Sequence, residues 1–393
     1  MKRKLTDGII PVGILGFMAV LSATFVLRFQ NSSLLYGTAV SPAPDANSFW
    51  DLWDGNFQES FDSYLNDNFY GHTMAVKLHN QIEYTLFHNG VENWLVGKEG
   101  YLFEKNQTYS YVGGGAVDGR NANDYEQYAQ KVYQLQSELQ KQGKEFLYLV
   151  NPVKAEIYPD KLPWYEILLE KKYANHKDAA KDRMIVAFEK YGVHYYDTTD
   201  DLIKMRTDSN FEIFPKTGHH WTLNAVTYEW NRLSRELSKE GTAEKYPYFL
   251  IHGVTDKVAD ENDKDALKLQ NVLVPKLSEK YTTPEASYAQ KSDQSVYLFG
   301  TSYGMGIAMV LNQDPQDMAF QSFVYQCYFT TVYRYSKDGF SVDEYTQENT
   351  PQDLGILEKV QNSNLVIMEQ PGAMGLLDTH IKFLEYVNEA IGN

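Results

Sequence analysis

Short apolar strands alternate with helices in the part of the chain that follows residue 121, and this alternation restricts the possible folds most strongly. The predicted strands are apolar and aromatic runs at residues 145–151 (EFLYLVN), 193–197 (VHYYD), 295–300 (SVYLFG) and 364–370 (NLVIMEQ). The predicted helices cover residues 124–142, about 177–190, about 223–238, a stretch after Ser302 and about 376–391. Strands joined through helices pair in parallel by right-handed crossovers. We therefore expect an α/β fold with a doubly wound, mostly parallel sheet that helices cover on both faces.

The N-terminus predicts a membrane anchor. Residues 9–27 carry no charge, and at about 1.5 Å per residue they nearly span a bilayer core of about 30 Å. Lys2, Arg3 and Lys4 precede this run, which places the N-terminus in the cytoplasm and the rest of the chain outside. A cleaved signal peptide is the alternative, although the apolar run is long for one.

The remaining organisation follows from composition. Residues 1–8 form the cytoplasmic N-terminus, and the Ser-, Pro- and Ala-rich residues 28–50 form a tether. Residues 51–95 form an N-terminal helical segment, because aromatic and apolar residues recur there at helical spacing. The α/β domain then spans 96–393, with a polar insertion at about 242–292.

Charge and cysteine content exclude several classes of function. The 52 Asp and Glu against 36 Lys and Arg give a net charge of −16, which repels phosphate backbones, so we expect no nucleic-acid partner. Cys327 is the single cysteine, which excludes an internal disulfide and any multi-cysteine metal site.

The stretch SVYLFGTSYGMG predicts a strand, a glycine turn and a serine at the start of a helix. Ligands of parallel sheets bind at the carboxyl ends of the strands, and Ser302 lies at such an end. Free backbone N–H groups and the positive helix end there stabilise a developing oxyanion. Ser302 is therefore a candidate nucleophile, and simple capping of the helix is the alternative.

The loop TGHHWT, residues 217–222, supplies a candidate base. A serine hydroxyl becomes a good nucleophile when an imidazole takes its proton and a third group holds that imidazole in the right tautomer. The alternatives are a packed surface turn and half of a metal site. Adjacent histidines point in different directions and the chain lacks an obvious third ligand at useful spacing, so we predict no metal site.

Six blocks in the same order carry a resemblance to a known family: NFQESFDSYLNDNF, VGKEGYLFE, NPVKAEIYPDKLP, YYDTTDDL, TGHHWT and FGTSYG. With them the chain resembles the membrane-anchored AlgJ and AlgX type of polysaccharide O-acetyltransferase, SGNH-hydrolase-like proteins whose relatives include the DHHW family. The resemblance covers nearly the whole chain after the tether. It implies an SGNH-hydrolase-like fold for the catalytic domain.

The resemblance also implies an activity and its residues. Ser302 corresponds to the acyl nucleophile, His220 to the catalytic histidine, and His219 to a structural neighbour that faces elsewhere. The implied function is transfer of an acetyl group through a serine ester to a hydroxyl of a cell-surface or secreted polysaccharide. A multi-spanning membrane O-acyltransferase would be the acyl donor, and no dissociable cofactor is required. The implied location is the bacterial cell membrane, with the catalytic domain outside the cytoplasm.

One residue departs from the family pattern. The family has an aspartate two positions before the catalytic histidine, where this chain has Gly218. Three explanations remain open: an inactivating substitution, a Ser–His dyad, or a carboxylate from elsewhere. Asp197 and Glu369 end predicted strands and are the candidate replacements. The alternative functions are an acetyl esterase of the same fold and a non-catalytic glycan-binding or assembly subunit.

Four further residues are candidates for substrate binding. Asn151 follows a predicted strand and has a side-chain amide that suits an oxyanion, although it also suits a simple turn. Lys154 is a candidate partner for an anionic sugar. Tyr303 and Trp221 adjoin the two candidate catalytic residues, where Tyr303 either lines the pocket or fills it.

Overall fold

The computed structural model describes residues 11–13, 15–16, 18–19, 35–44, 53, 55–68, 71–112, 119–167, 179–208, 212–238, 246–275, 281–312, 318–346 and 349–392. Most of the predicted membrane helix and part of the tether lie outside these ranges. Within them, no helix combines the length and the apolar character that a membrane crossing requires. The described residues divide into two compact units, one drawn from 1–92 and 267–276 and the other from 93–266 and 277–393.

Strands and helices alternate in the second unit much as the sequence predicts. The strands are β1 (Trp94–Val96), β2 (Leu102–Glu104), β3 (Glu145–Asn151), β4 (Tyr195–Asp197), β5 (Tyr248–Lys257), β6 (Tyr281–Gln290), β7 (Ser295–Gly300), β8 (Ser322–Cys327), β9 (Thr331–Ser336), β10 (Gly339–Glu344) and β11 (Leu365–Pro371). The helices with both ends among the described residues are, in order, α1 (Asn56–Asn68), α2 (His72–Ile82), α3 (Lys105–Val112), α4 (Ala122–Lys141), α5 (Lys154–Ile157), α6 (Ala180–Tyr191), α7 (Thr199–Asp208), α8 (Leu223–Ser238), α9 (Asp265–Leu269), α10 (Gly304–Leu311), α11 (Ile356–Gln361) and α12 (Asp378–Ile391).

The central sheet has seven strands in the order β10-β9-β8-β7-β11-β3-β4. The five strands from β8 to β4 are parallel, whereas β9 and β10 form an antiparallel hairpin at one edge. The predicted α/β fold with a mostly parallel sheet is therefore confirmed, and the antiparallel hairpin at one edge makes the sheet mixed. Strand β11 lies between β3 and β7, so the carboxyl ends of these three strands share one edge of the sheet.

Helices cover both faces of the sheet. Alternate residues of each strand point to opposite faces, so that Leu147 and Leu298 belong to one apolar core while Tyr148 and Tyr297 belong to the other. Helices α7, α8 and α10 pack on the first face, and α4, α6, α11 and α12 pack on the second. This two-sided burial explains the nearly continuous apolar sequences of the central strands.

Local sequence signals determine where the helices begin and end. Asn121 caps α4, because its side chain accepts hydrogen bonds from the backbone N–H groups of Asn123 and Asp124. In return, the Asp124 side chain accepts a hydrogen bond from the Asn121 N–H, which completes a capping box. Helix α6 ends at Gly192, whose φ of 74° is the left-handed conformation that favours glycine. Helix α8 has the predicted bounds. Helix α4 begins two residues and ends one residue earlier than predicted, and α12 begins two residues later than predicted.

The predicted polar insertion forms an ordered hairpin. Strands β5 and β6 pair antiparallel as a separate two-stranded sheet, with register shifts next to Tyr248 and Ile251. The segment between the two strands carries the short helix α9, which begins at Asp265. The insertion therefore holds Asp265 at the start of a helix, in a fixed backbone position.

The first unit contains α1 and α2, in the region predicted to be helical, and the end of α2 continues as a π-helical turn at Glu83–Phe87. Side-chain hydrogen bonds join its separate segments. The Asn80 amide donates to the Gln270 carbonyl at 2.9 Å, and the Val91 N–H donates to the Gln270 side chain at 2.8 Å. The Tyr36 N–H donates to the Asn271 side chain at 2.8 Å.

Candidate active site

Ser302 lies in the turn between β7 and α10, as the sequence predicts. The turn rests on a buried carboxylate, since Glu369 accepts a hydrogen bond from the Thr301 N–H at 2.9 Å. A Cβ on Gly300 would lie 2.5 Å from a Glu369 carboxylate oxygen, so this position requires glycine. Glu369 therefore supports the turn from below, and burial raises its pKa to about 7 although its hydrogen bonds oppose the shift.

His220 meets Ser302 from a segment 82 residues away in the chain. The imidazole Nε2 lies 2.8 Å from Ser302 Oγ, which is hydrogen-bonding distance. This arrangement allows Nε2 to take the hydroxyl proton as the oxygen attacks an electrophile. The two residues that the sequence singles out are thus brought together over the carboxyl edge of the sheet.

Asp265 occupies the other side of the same imidazole. Its Oδ2 lies 2.9 Å from His220 Nδ1, while its Oδ1 accepts from the His219 N–H at 2.8 Å and from the Ala266 N–H at 2.7 Å. A carboxylate at Nδ1 holds the proton on that nitrogen and leaves Nε2 free to act as a base. Asp265, His220 and Ser302 therefore form a continuous hydrogen-bonded chain.

The surroundings of Asp265 keep it ionised. Burial by itself would raise the pKa of this carboxyl, but the hydrogen bond and the charge of His220 outweigh burial and hold the pKa below its usual value. The carboxylate can therefore stabilise an imidazolium on His220 when the ring accepts a proton.

Gly218 makes room for the segment that carries Asp265. A Cβ at this position would lie 2.4 Å from the Asn262 carbonyl oxygen, 2.7 Å from Pro215 Cγ and 3.0 Å from the Asp263 carbonyl carbon. Two of these atoms belong to backbone and cannot swing aside as a flexible side chain does. Gly218, which stands where the family has an aspartate, is therefore in close contact with residues 262–263. The same segment carries Asp265, the carboxylate that contacts His220.

The two carboxylates that the sequence suggested as replacements lie elsewhere, so both predictions are wrong. Asp197 accepts from the Thr199 N–H and hydroxyl and lies 3.6 Å from Lys181 Nζ. Glu369 is fully buried beneath the turn, where Thr301 and Asn151 are its partners. Each ends or nearly ends a strand of the sheet, but neither contacts the His220 ring.

Asp265 itself was missed, although it is the last residue of the acidic run DKVADENDKD. Such a run ordinarily indicates a solvated loop, and nothing in its spacing singles out one carboxylate. Two features of the sequence could have indicated it: Gly218 stands where the family has an acid, and an insertion with many carboxylates follows the histidine loop in the chain. The hypothesis of a non-catalytic protein rested on the missing acid at Gly218. That argument no longer applies, because Asp265 provides a carboxylate at His220.

Asn151 and Tyr303 are buried rather than exposed at the mouth of the site. The Asn151 amide is 0% exposed and donates to Glu369 at 2.8 Å, so it supports the turn and cannot reach an oxyanion. Tyr303 is 1% exposed, and its ring packs against His219 and His220 with centroids 5.4 and 5.3 Å apart. Tyr303 therefore fills the interior behind the histidines.

His219 faces away from Ser302, as the resemblance implies. Its ring packs edge-on against Trp94 with centroids 5.6 Å apart, and its Nε2 lies 3.4 Å from the Gln107 amide. Burial lowers the pKa of His219 to about 3, which keeps the ring neutral at physiological pH. His219 therefore contributes to the site structurally: its ring packs against neighbouring rings, and its backbone N–H donates to Asp265.

Lys154 is buried behind the histidine loop, contrary to the prediction that it binds an anionic sugar. Its side chain is 3% exposed, and Nζ donates to the carbonyl oxygens of Pro215, Lys216 and Gly218 at 2.5, 2.9 and 2.9 Å. The three N–H groups of the ammonium are thus all used within the protein. Lys154 therefore fixes the backbone of the loop that carries His220.

We expect Lys154→Met to lower the free energy of unfolding by about 3 kcal/mol, because it leaves buried carbonyl groups without donors. Urea unfolding measures this loss. Lys141→Met is the matched control, since Lys141 is exposed on α4 and pairs with Glu138 across one turn; it should cause a much smaller loss. Equal losses in the two variants would contradict the structural role of Lys154.

A cavity of about 220 Å³ opens beside Ser302 and His220. Trp221 is among its lining residues, although it is largely buried and its indole N–H donates to the Tyr303 carbonyl at 3.0 Å. Tyr325, Cys327 and Tyr333 from the sheet also line the cavity. Ser302 and His220 therefore both face this cavity. Within the described ranges, no group of three His, Cys, Asp or Glu side chains is placed to hold a metal ion.

The chain belongs to a known family. The family model described as "SGNH hydrolase-like domain, acetyltransferase AlgX" matches residues 95–352, which is most of the chain. Among curated proteins, the chain is similar to the probable alginate O-acetylase AlgJ of Pseudomonas aeruginosa, with 26% identity over 187 residues. That match covers 47% of this chain and 44% of the relative, so it spans less than half of the relative's length.

Two solved structures are also similar. The O-acetyltransferase domain of Pseudomonas putida AlgJ matches 76% of this chain and 99% of its own, at 13% identity and a TM-score of 0.44. Pseudomonas aeruginosa AlgX matches 76% of this chain and 67% of its own, at 15% identity and a TM-score of 0.48.

Proposed function

We propose that this protein is a membrane-anchored, extracytoplasmic O-acetyltransferase that moves an acetyl group through an ester of Ser302 to a hydroxyl of a polysaccharide. The observation that carries the proposal is the hydrogen-bonded chain from Asp265 through His220 to Ser302 at the edge of an open cavity. Membership of a family described by an acetyltransferase supports the reaction type, and the name of the similar alginate O-acetylase supports a polysaccharide acceptor.

In the first half of the reaction, Ser302 Oγ attacks the acetyl carbonyl of the donor while His220 Nε2 takes the hydroxyl proton. Asp265 balances the positive charge that develops on the ring. The tetrahedral intermediate then collapses, the donor's leaving group departs with the proton from His220, and the acetyl ester of Ser302 remains. We assign the oxyanion to the Ser302 N–H, for which no acceptor occurs among the described residues.

The second half repeats these steps with a sugar hydroxyl as the nucleophile. His220 takes the proton of that hydroxyl, the sugar oxygen attacks the ester carbonyl, and the bond to Ser302 Oγ breaks. The same proton then returns to Ser302, so that the enzyme is regenerated and the sugar carries the acetyl group. The reaction consumes no cofactor.

The proposed location and donor depend on the N-terminal sequence. The uncharged residues 9–27, preceded by Lys2, Arg3 and Lys4, support a single-pass anchor with the catalytic unit outside the bacterial cytoplasm. The family resemblance supports a membrane-bound O-acyltransferase, which delivers acetyl groups across the membrane, as the proposed partner.

Incubation with p-nitrophenyl acetate and a set of oligosaccharides tests the proposal. We expect mass spectrometry to find an acetyl ester on Ser302 and O-acetyl groups on the acceptor sugar, and Ser302→Ala to give neither. Release of acetate alone, with no acetylated sugar from any acceptor, would identify an esterase instead. Absence of the ester from Ser302 under saturating donor would contradict acyl transfer by this site.

A further inference from the structure

Five aromatic side chains on β8, β9 and β10 form a continuous row of rings on one face of the sheet, from the fully buried Phe323 and Tyr325 to the exposed Phe340. We call it the hairpin aromatic face, and its members are Phe323, Tyr325, Tyr333, Tyr335 and Phe340. They share a face because they occupy alternate positions on neighbouring strands, with Phe323 opposite Tyr335, Tyr325 opposite Tyr333 and Phe340 opposite Tyr335.

The rings of this face contact one another in sequence from the interior to the edge of the sheet. Tyr325 and Tyr333 stack with centroids 5.4 Å apart, and Tyr333 and Phe340 stack with centroids 6.5 Å apart. Tyr335 lies against Phe340 with centroids 4.8 Å apart. Exposure rises along this path, from 0% at Tyr325 through the half-buried Tyr333 to 50% at Phe340.

The face is continuous with the catalytic cavity. Tyr325 and Tyr333 line that cavity together with Ser302, so a chain bound along the aromatic rings enters it directly. Phe340 and the partly buried Tyr333 and Tyr335 present ring surface at the edge of the sheet. Flat rings suit the apolar face of a sugar ring.

The charges of the cavity favour an uncharged sugar. Lys257 is the only Lys or Arg among the described residues that line the cavity, and both Asp260 and Asp263 already hold it, at 2.8 and 3.0 Å. One carboxylate charge of this trio is therefore left uncompensated. A uronate carboxylate placed there meets repulsion and has no cation free to bind it. Lys154, the other nearby cation, is buried and occupied.

From these observations we propose that the hairpin aromatic face binds the acceptor glycan, and that the sugar unit at the cavity is neutral. This inference rests on the proposed function for the identity of the acceptor. Phe340 and Tyr333 stack against successive sugar rings and position a hydroxyl near the ester of Ser302. They contribute to binding of the acceptor and take no part in forming the acyl-enzyme.

Binding measured without catalysis tests the inference separately from the reaction. In a Ser302→Ala background, calorimetry would be carried out with hexasaccharides of glucose, galactose, mannose and N-acetylglucosamine, and with a mannuronate hexasaccharide. We expect at least one neutral hexasaccharide to bind, and Phe340→Ala to weaken it about tenfold. Val186→Ala is the matched control, because Val186 is an exposed apolar residue on α6, on the opposite side of the sheet, and should leave affinity unchanged.

Several outcomes would overturn the inference. These are no binding of any neutral hexasaccharide, equal affinity with and without Phe340, or tighter binding of the uronate. Sedimentation provides a further check, since loss of a dimer in Phe340→Ala would show that a second copy of the chain covers this face. Formation of the Ser302 ester from p-nitrophenyl acetate by the natural protein tests the proposed function separately, because this step requires no glycan. Failure of that ester, with glycan binding intact, would contradict the proposed function and leave the glycan site standing.

Discussion

Asp265→Asn is expected to lower acetyl-transfer turnover by about 10⁴, although the substitution changes neither size nor shape. An asparagine oxygen can still accept from the His219 N–H, which turns the amide NH₂ toward His220 Nδ1, where the Asp265 carboxylate oxygen now lies. His220 must then carry its proton on Nε2, and that nitrogen can no longer accept the proton of Ser302. The loss should appear in the rate of Ser302 ester formation, measured by the burst of p-nitrophenol.

Asp197→Asn is the matched control for this prediction. It makes the same chemical change at the carboxylate that ends β4, whose partners are Thr199 and Lys181. Turnover of the folded variant should stay close to that of the natural protein. If Asp197→Asn removed activity while Asp265→Asn kept it, the assignment of the acid would be wrong.

Restoring the family's residue should damage the enzyme. We expect Gly218→Asp to lower turnover by at least about 10²-fold, because displacing catalytic groups by about 1 Å has effects of this size. The new Cβ would meet the Asn262 carbonyl oxygen at 2.4 Å, so the backbone that leads to Asp265 must move. Steady-state kinetics of acetyl transfer measures the loss, and circular dichroism confirms that the variant is folded.

Gly218→Ala separates the steric cause from the added charge. It introduces the same Cβ without a carboxylate, and we expect it to lose activity as well. A gain of activity in Gly218→Asp would contradict the account, and so would a normal rate in Gly218→Ala. Gly218→Asp should also fail to rescue Asp265→Asn, since the close contact with Asn262 remains in the double variant.

The sequence predicted well those parts of the fold that local patterns encode. The apolar strands β3, β7 and β11 and the helices between them follow from periodicity, which places Ser302 at the carboxyl end of β7. We did not predict the edge hairpin from the sequence, although TVYRYS alternates and an Asp-Gly pair stands at the start of β10. The mixed character of the sheet, and with it the hairpin aromatic face, therefore came from the structure.

The burial of individual site residues was the main feature that could not be predicted from sequence patterns. Asn151, Lys154 and Glu369 were placed near the correct edge of the sheet, but all three are buried supports of the site. A polar residue type indicates what a side chain can bind and gives no information on whether solvent reaches it. Asp265 illustrates a second limit, because it reaches His220 across 45 residues through a hairpin whose path no local pattern specifies.

The central claim is that Asp265 acts through His220 on Ser302, and a double-mutant cycle tests it most directly. Turnover would be compared in the natural protein, Asp265→Asn, His220→Ala and the double variant. Groups that act as one unit are strongly non-additive, so Asp265→Asn should cost nothing further once His220 is absent. If the two losses instead multiply in the double variant, Asp265 acts independently of His220 and the triad described above is wrong.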